Sequence, residues 1–158
     1  HLAQPASVPL FKERLTDKDP KMRRAAAEGL GRIGDASAIA EMMSGATSDE
    51  SEEVRVAMAF ALQKLGRNYV TRIVDAMDSP NMVPQAQGYL IELGPPIASS
   101  LYPHLQESDQ GIREGVAEVL GLIGNDKSLG PLQAITTDKD PNVATAAKRA
   151  IERIKSVR

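Results

Sequence analysis

One apolar stripe recurs five times along this chain, and that recurrence constrains the fold more than anything else in it. Met22, Val54, Met82, Ile112 and Val143 open the five copies. Four residues on stand Ala26, Met58, Ala86, Val116 and Ala147, then at the eighth position Leu30, Leu62, Leu90, Leu120 and Ile151. The eleventh position holds Ile33, Leu65, Leu93, Ile123 and Ile154. Offsets of 0, 4, 8 and 11 lie along one side of an α-helix. The copies begin 32, 28, 30 and 31 residues apart. A period of that length marks a stack of short supersecondary units, none of which can bury its apolar face alone.

The punctuation has the same period. Asp19, Ser51, Ser79, Asp109 and Asp140 precede the five stripes by three residues, where a side-chain oxygen can accept from a free first-turn N–H. Pro20, Pro80 and Pro141 follow three of these, at a position whose N–H has no helical partner. Gly34, Gly66, Gly94 and Gly124 end four stripes, and glycine readily takes the left-handed turn that stops a helix. A second apolar segment fills each interval: Ile39, Met42 and Met43; Val70, Ile73, Val74 and Met77; Ile97, Leu101 and Leu105; Leu129, Leu132 and Ile135. Leu10, Phe11 and Leu15 look like one more such segment. The expected fold is all-α, an α-α superhelix or solenoid of about five helix pairs, about ten helices. Residues 1–7 read as a leader or linker and 8–158 as a single repeat domain. Within it, a half repeat spans 8–16, repeats start near 19, 51, 79 and 109, and a closing helix covers 140–156.

Asp19-Pro20-Lys21-Met22-Arg23, continued by Ala26 and Leu30-Gly31-Arg32-Ile33-Gly34-Asp35, resembles the HEAT-like repeats of the phycobilisome-lyase type. The copy running from Ile112-Arg113 to Leu120-Gly121-Leu122-Ile123-Gly124 is similar. The resemblance spans roughly residues 8–156. It implies a HEAT-like solenoid. It also implies that Arg23, Arg55 and Arg113 are rungs of a ladder pairing with turn acids, from among Asp17, Asp19, Asp49, Asp109, Asp138 and Asp140. As exposed pairs, such rungs would each be worth about 0–1 kcal/mol.

Several constellations imitate chemistry. Gly29-Leu30-Gly31-Arg32-Ile33-Gly34 spells a dinucleotide-type glycine pattern. It falls at a helix C-terminus, where carbonyls rather than N–H groups point outward, so it is not expected to hold a nucleotide. Asp49, Glu50, Glu52 and Glu53 crowd one turn without the glycine-centred spacing of a calcium loop, and a solvated turn is the expected reading. His104 stands alone within the array, too few for paired metal ligands or a nucleophile–histidine–acid set. With no cysteine, thiolate sites are excluded. Met42, Met43, Met58 and Met82 are expected to fill core. No catalytic residue, metal site or cofactor is assigned.

Net charge is −2, with +3 over residues 1–34, −9 over 35–126 and +4 over 127–158. The bases at the end of the chain, Lys148, Arg149, Arg153, Lys155 and Arg158, have no stacking aromatics beside them, so no nucleic-acid partner is expected. No apolar run approaches the roughly 20 residues of a membrane span. The cytoplasm is favoured, with a periplasmic or secreted location left open.

The function expected is a non-catalytic scaffold or adaptor that holds a protein partner on its concave surface, the protein itself being a monomer. A bilin-lyase-like or chaperone-like subunit and a structural segment of a larger chain are the alternatives. In HEAT-like arrays the second helix of each pair lines the concave side. Arg72, Asp75, Tyr102 and Gln133, off the second-helix stripes, are therefore the partner-binding candidates. The third repeat breaks the pattern most. Pro84 should delay or bend its first helix and Pro103 should interrupt its second. Gln85, Gln87 and Tyr89 replace its small residues.

Overall fold

Three aspartates start helices as the repeat pattern requires. Asp19 accepts from the N–H of Lys21, Asp109 from that of Ile112, and Asp140 from those of Asn142 and Val143. Each satisfies a donor that the first turn leaves without a helical acceptor. The computed structural model describes residues 5–157, in two units that meet in sequence at Ile73 and Val74. There are ten α-helices and no strands among the described residues.

The first unit opens with a 3-10 turn, Pro5–Ser7, and α1, Val8–Arg14. Then come α2, Pro20–Ile33; a 3-10 turn, Ala36–Ala38; α3, Ile39–Ser48; and α4, Glu52–Lys64. Helix α5, Val70–Asp75, carries the division between the units. Helix α4 is buried nearly all round, from Val54 through Leu62 with only Arg55 half-buried, because α2 and α3 pack against it. Small residues set the spacing of α2 and α4. A Cβ on Gly31 would lie 2.7 Å from Ala61 Cα. One on Gly29 would lie 2.5 Å from the Phe11 ring, which is how α1 seats on α2.

The second unit holds a 3-10 turn at Ala76–Asp78; α6, Val83–Leu93; a 3-10 turn at Pro95–Ile97; and α7, Ala98–Leu101. It continues through a 3-10 stretch, Tyr102–Gln106, to α8, Gln110–Ile123, a 3-10 turn at Asp126–Ser128, and α9, Leu129–Ala134. Its last helix is α10, Pro141–Ser156. Here α8 is central, with α10 packed along it. A Cβ on Gly121 would lie 2.9 Å from Ala150 Cα, the counterpart of the Gly31–Ala61 approach.

The stripe holds in 16 of its 20 places as buried side chains; Ile33, Leu65 and Leu93 are half-buried at its last position, where their helices end, and Met22 is exposed. Met22 is 48% exposed, because only the short α1, which buries none of its own residues, stands on that side of α2. Met43 is 46% exposed, since the buried line of α3 runs through Met42 and Ala46; Met42, Met58 and Met82 are buried as core. Ser51 makes no side-chain cap, and Ser79 is not the N-cap of α6, which starts only at Val83; it ends the Ala76–Asp78 turn instead. Pro84 sits in the first turn of that late helix. Pro103 coincides with the switch from α7 to 3-10 geometry. Gly34, Gly66 and Gly94 take positive φ, but Gly124 does not (φ −72°), so the fourth copy ends in extended backbone.

Candidate functional site

The ladder residues are the best-defined polar groups in the molecule. Arg23 donates from Nε and Nη2 to both carboxylate oxygens of Asp49, each at 2.8 Å, and from Nη1 to the carbonyl of Asp17 at 2.8 Å. Arg113 does the same one unit later. Its Nε and Nη2 reach Asp138 at 2.9 Å, and Nη1 reaches the carbonyls of Glu107 (2.8 Å) and Ser108 (3.0 Å). Both acids also accept from a backbone N–H two residues on, Ser51 and Asp140. Each arginine thus ties its own helix to the preceding turn and to the next one. The fork of a guanidinium suits this, since one edge takes a carboxylate while the remaining nitrogen takes carbonyls.

The pairs are not the exposed ones the sequence suggested. Arg113 is 5% exposed, and the side chains of Arg23, Asp49 and Asp138 are 16%, 9% and 11% exposed. Hydrogen bonds from Arg23 and Arg113 hold Asp49 and Asp138 below the usual carboxylate range, and the same bonds raise both arginines. Asp49 is therefore a ladder acid rather than part of a solvated turn. Asp19, Asp109 and Asp140 are helix caps, and Asp17 pairs with Arg14.

Asp49 and Asp138 share one register slot, two residues before the expected helix cap, with Asp17 and Glu107; Met77 fills it in the third copy. Val83 likewise replaces the third arginine. Glu107, left without an arginine in register, instead lies 3.1 Å from Nδ1 of the buried His104. Arg55 donates to the carbonyls of Asp49 and Glu50. These groups serve packing. No cluster of three metal-ligating side chains occurs among the described residues.

The glycine pattern at residues 29–34 lies on the last turns of α2, where Gly29 and Gly31 admit Phe11 and Ala61. The polar residues of α6 also have structural work. Gln85 reaches the hydroxyl of the buried Tyr89 at 3.0 Å, and Gln87 bonds the carbonyl of Gly115 and the carboxylate of Glu118.

Of the partner-binding candidates, Arg72 is exposed on α5 in the first unit. Asp75, Tyr102 and Gln133 belong to the second. Asp75 and Gln133 are exposed. Tyr102 is half-buried, its hydroxyl 3.0 Å from Ser128 Oγ, so the structure joins Tyr102 to the turn that leads into α9. Gln133 sits on α9 with its amide near Thr136. Sequence reasoning missed Ser128, although it also completes a capping box with Asn125, a pattern readable from Asn125-x-x-Ser128.

A family model described as HEAT repeats matches residues 1–83, more than half of the chain. The chain is a HEAT-repeat protein. Its repeats are 27% identical over 157 residues to an uncharacterized phycocyanin operon protein Z of Pseudanabaena tenuis (strain PCC 7409), covering 90% of this chain and 77% of that one. Human deoxyhypusine hydroxylase, solved with glycerol, is similar at a TM-score of 0.38 and 18% identity, over 98% of this chain and 75% of that one. An engineered protein gives a TM-score of 0.37 and 21% identity, with 96% of this chain and 63% of that one covered. No helix among the described residues is long and apolar enough to cross a membrane.

Proposed function

We propose that this HEAT-repeat protein is a non-catalytic scaffold that holds a protein partner on the second helices of its repeats. One observation carries the reading: the ordered polar groups are already engaged within the fold, capping helices or tying helix to turn and helix to helix. The ladder arginines, the capping aspartates and the glutamines of α6 each have an intramolecular partner. In the second unit the second helices carry exposed Asp75 and Gln133 and the half-buried Tyr102, a residue type that anchors interfaces. Arg72 offers a cation on the corresponding segment of the first unit. With a partner captured from the native source, Tyr102→Ala combined with Gln133→Ala should weaken binding at least about tenfold, or about 1.4 kcal/mol. Tyr102→Phe serves as a control that keeps the ring. Arg72→Glu is measured separately. Unchanged affinity in all three variants would remove the second helices from the interface.

The relative's name favours a second reading, a bilin-lyase-like or chaperone-like subunit acting on a chromophore or client protein. Visible absorbance retained by the protein after incubation with free bilin and gel filtration would support it over the scaffold.

A further inference from the structure

The junction between α6 and α8 departs from the other two close helix junctions in one register slot. At α2–α4 and α8–α10 that slot pairs glycine with alanine, Gly31 with Ala61 and Gly121 with Ala150. At α6–α8 the same two places hold Ile91 and Val119. A glycine Cβ would already stand 2.7–2.9 Å from the opposing backbone at the other junctions, so a β-branched isoleucine cannot be accommodated at that distance. Helix α6 must stand off from α8. A groove of about 630 Å³ opens there, lying wholly in the second unit and built from first helices, the side opposite in role to the surface proposed above.

Ile91 and Leu122, 39% and 52% exposed, are its apolar walls, and Val119, Ala146 and Ala150 line it between them. The α10 side carries Arg149, Glu152 and Arg153; the α6–α8 side carries Gln87 and Glu118. The two flanks differ electrostatically. Glu118 already accepts from the Gln87 amide at 2.7 Å, whereas Arg149 and Arg153 have no carboxylate within ion-pair distance among the described residues. They stand one helical turn apart on the same face of α10, where one partner segment can meet both.

We infer that this groove binds an amphipathic helix of a partner protein, its apolar stripe against Ile91 and Leu122 and its carboxylates against Arg149 and Arg153. A concave, apolar-floored cleft fits a convex helix better than a second concave copy of itself, and helix-in-groove recognition uses this combination of stripe and flanking charge.

The probe is a synthetic amphipathic helix of about 18 residues with leucines along one stripe, glutamates on the flank that meets α10 and glutamines on the flank that meets Glu118. Its control has lysine for every glutamate. Fluorescence anisotropy should show the glutamate peptide binding the full chain at least about tenfold more tightly than the lysine peptide. Arg149→Glu with Arg153→Glu should abolish or invert that preference, and Leu122→Gln should weaken the glutamate peptide about tenfold. All three positions are exposed, so the helical melting curves should be unchanged. Equal affinities for the two peptides, no saturable binding, or a dimer in sedimentation velocity that is lost in Leu122→Gln would each overturn the inference.

Discussion

Arg113→Lys is the sharpest perturbation of the account of this fold. Lysine keeps the charge but cannot present the fork. In the native protein the guanidinium makes two bonds to Asp138 and two to carbonyls, from a side chain that is 6% exposed. An ammonium with one donor direction toward Asp138 leaves the carbonyls of Glu107 and Ser108 with weaker partners. An exposed ion pair is worth about 0–1 kcal/mol. Removing one partner of a fully buried pair costs about 3–5 kcal/mol. This pair is covered by protein yet close to the surface, which puts Arg113→Ala at about 2–4 kcal/mol. Arg113→Lys should fall at about 1–2 kcal/mol, from the lost bidentate geometry and one carbonyl bond. Urea unfolding followed by far-UV circular dichroism reads both. Adding Asp138→Asn completes a cycle whose coupling should exceed about 1 kcal/mol. If Arg113→Ala costs less than about 1 kcal/mol, the rung is ordinary surface charge and does not fasten α8 to the turns.

Other outcomes follow from the same geometry. Asp49 and Asp138 sit below their unfolded pKa, so the unfolded chain binds more protons in acid; stability should be full above about pH 5 and fall as pH drops through the carboxylate range. Asp138→Asn should flatten that slope. Leu120→Ala, at a fully buried stripe position, should cost about 2–5 kcal/mol. Glu114 has its pKa raised by burial and by Glu118 and Asp140, so Glu114→Gln should be neutral or slightly stabilising at pH 7, with the gain fading in acid. Gly88→Ala meets nothing within 4 Å and should stabilise α6 by about 0.5–1 kcal/mol, whereas Gly121→Ala, 2.9 Å from the Ala150 backbone, should destabilise by about 1–3 kcal/mol. Thermal melts rank this pair directly.

The fold was legible because repetition amplifies weak signals. A single Leu120 says little, but five residues in its slot define a helix face, and the caps at Asp19, Asp109 and Asp140 fix where those helices start. Legibility failed where a position's environment is not repeated. Met22 is in register but has only α1 beside it, and Ser79 is in register but its helix is delayed to Val83. The arginine slot was visible, and its burial was not, because burial depends on the next turn folding over it. The α6–α8 groove was hidden for a related reason. Ile91 looks like ordinary core until the Gly31 and Gly121 contacts show what that slot normally admits.

In the proposed function the repeats hold a partner through their second helices while the arginine ladder stays as it is. Hydrogen–deuterium exchange of the protein with and without its captured partner tests it most directly. The expected result is added protection over residues 95–106 and 126–135, together with unchanged exchange at the Arg113–Asp138 rung. A saturated complex with no added protection in those segments would contradict the claim.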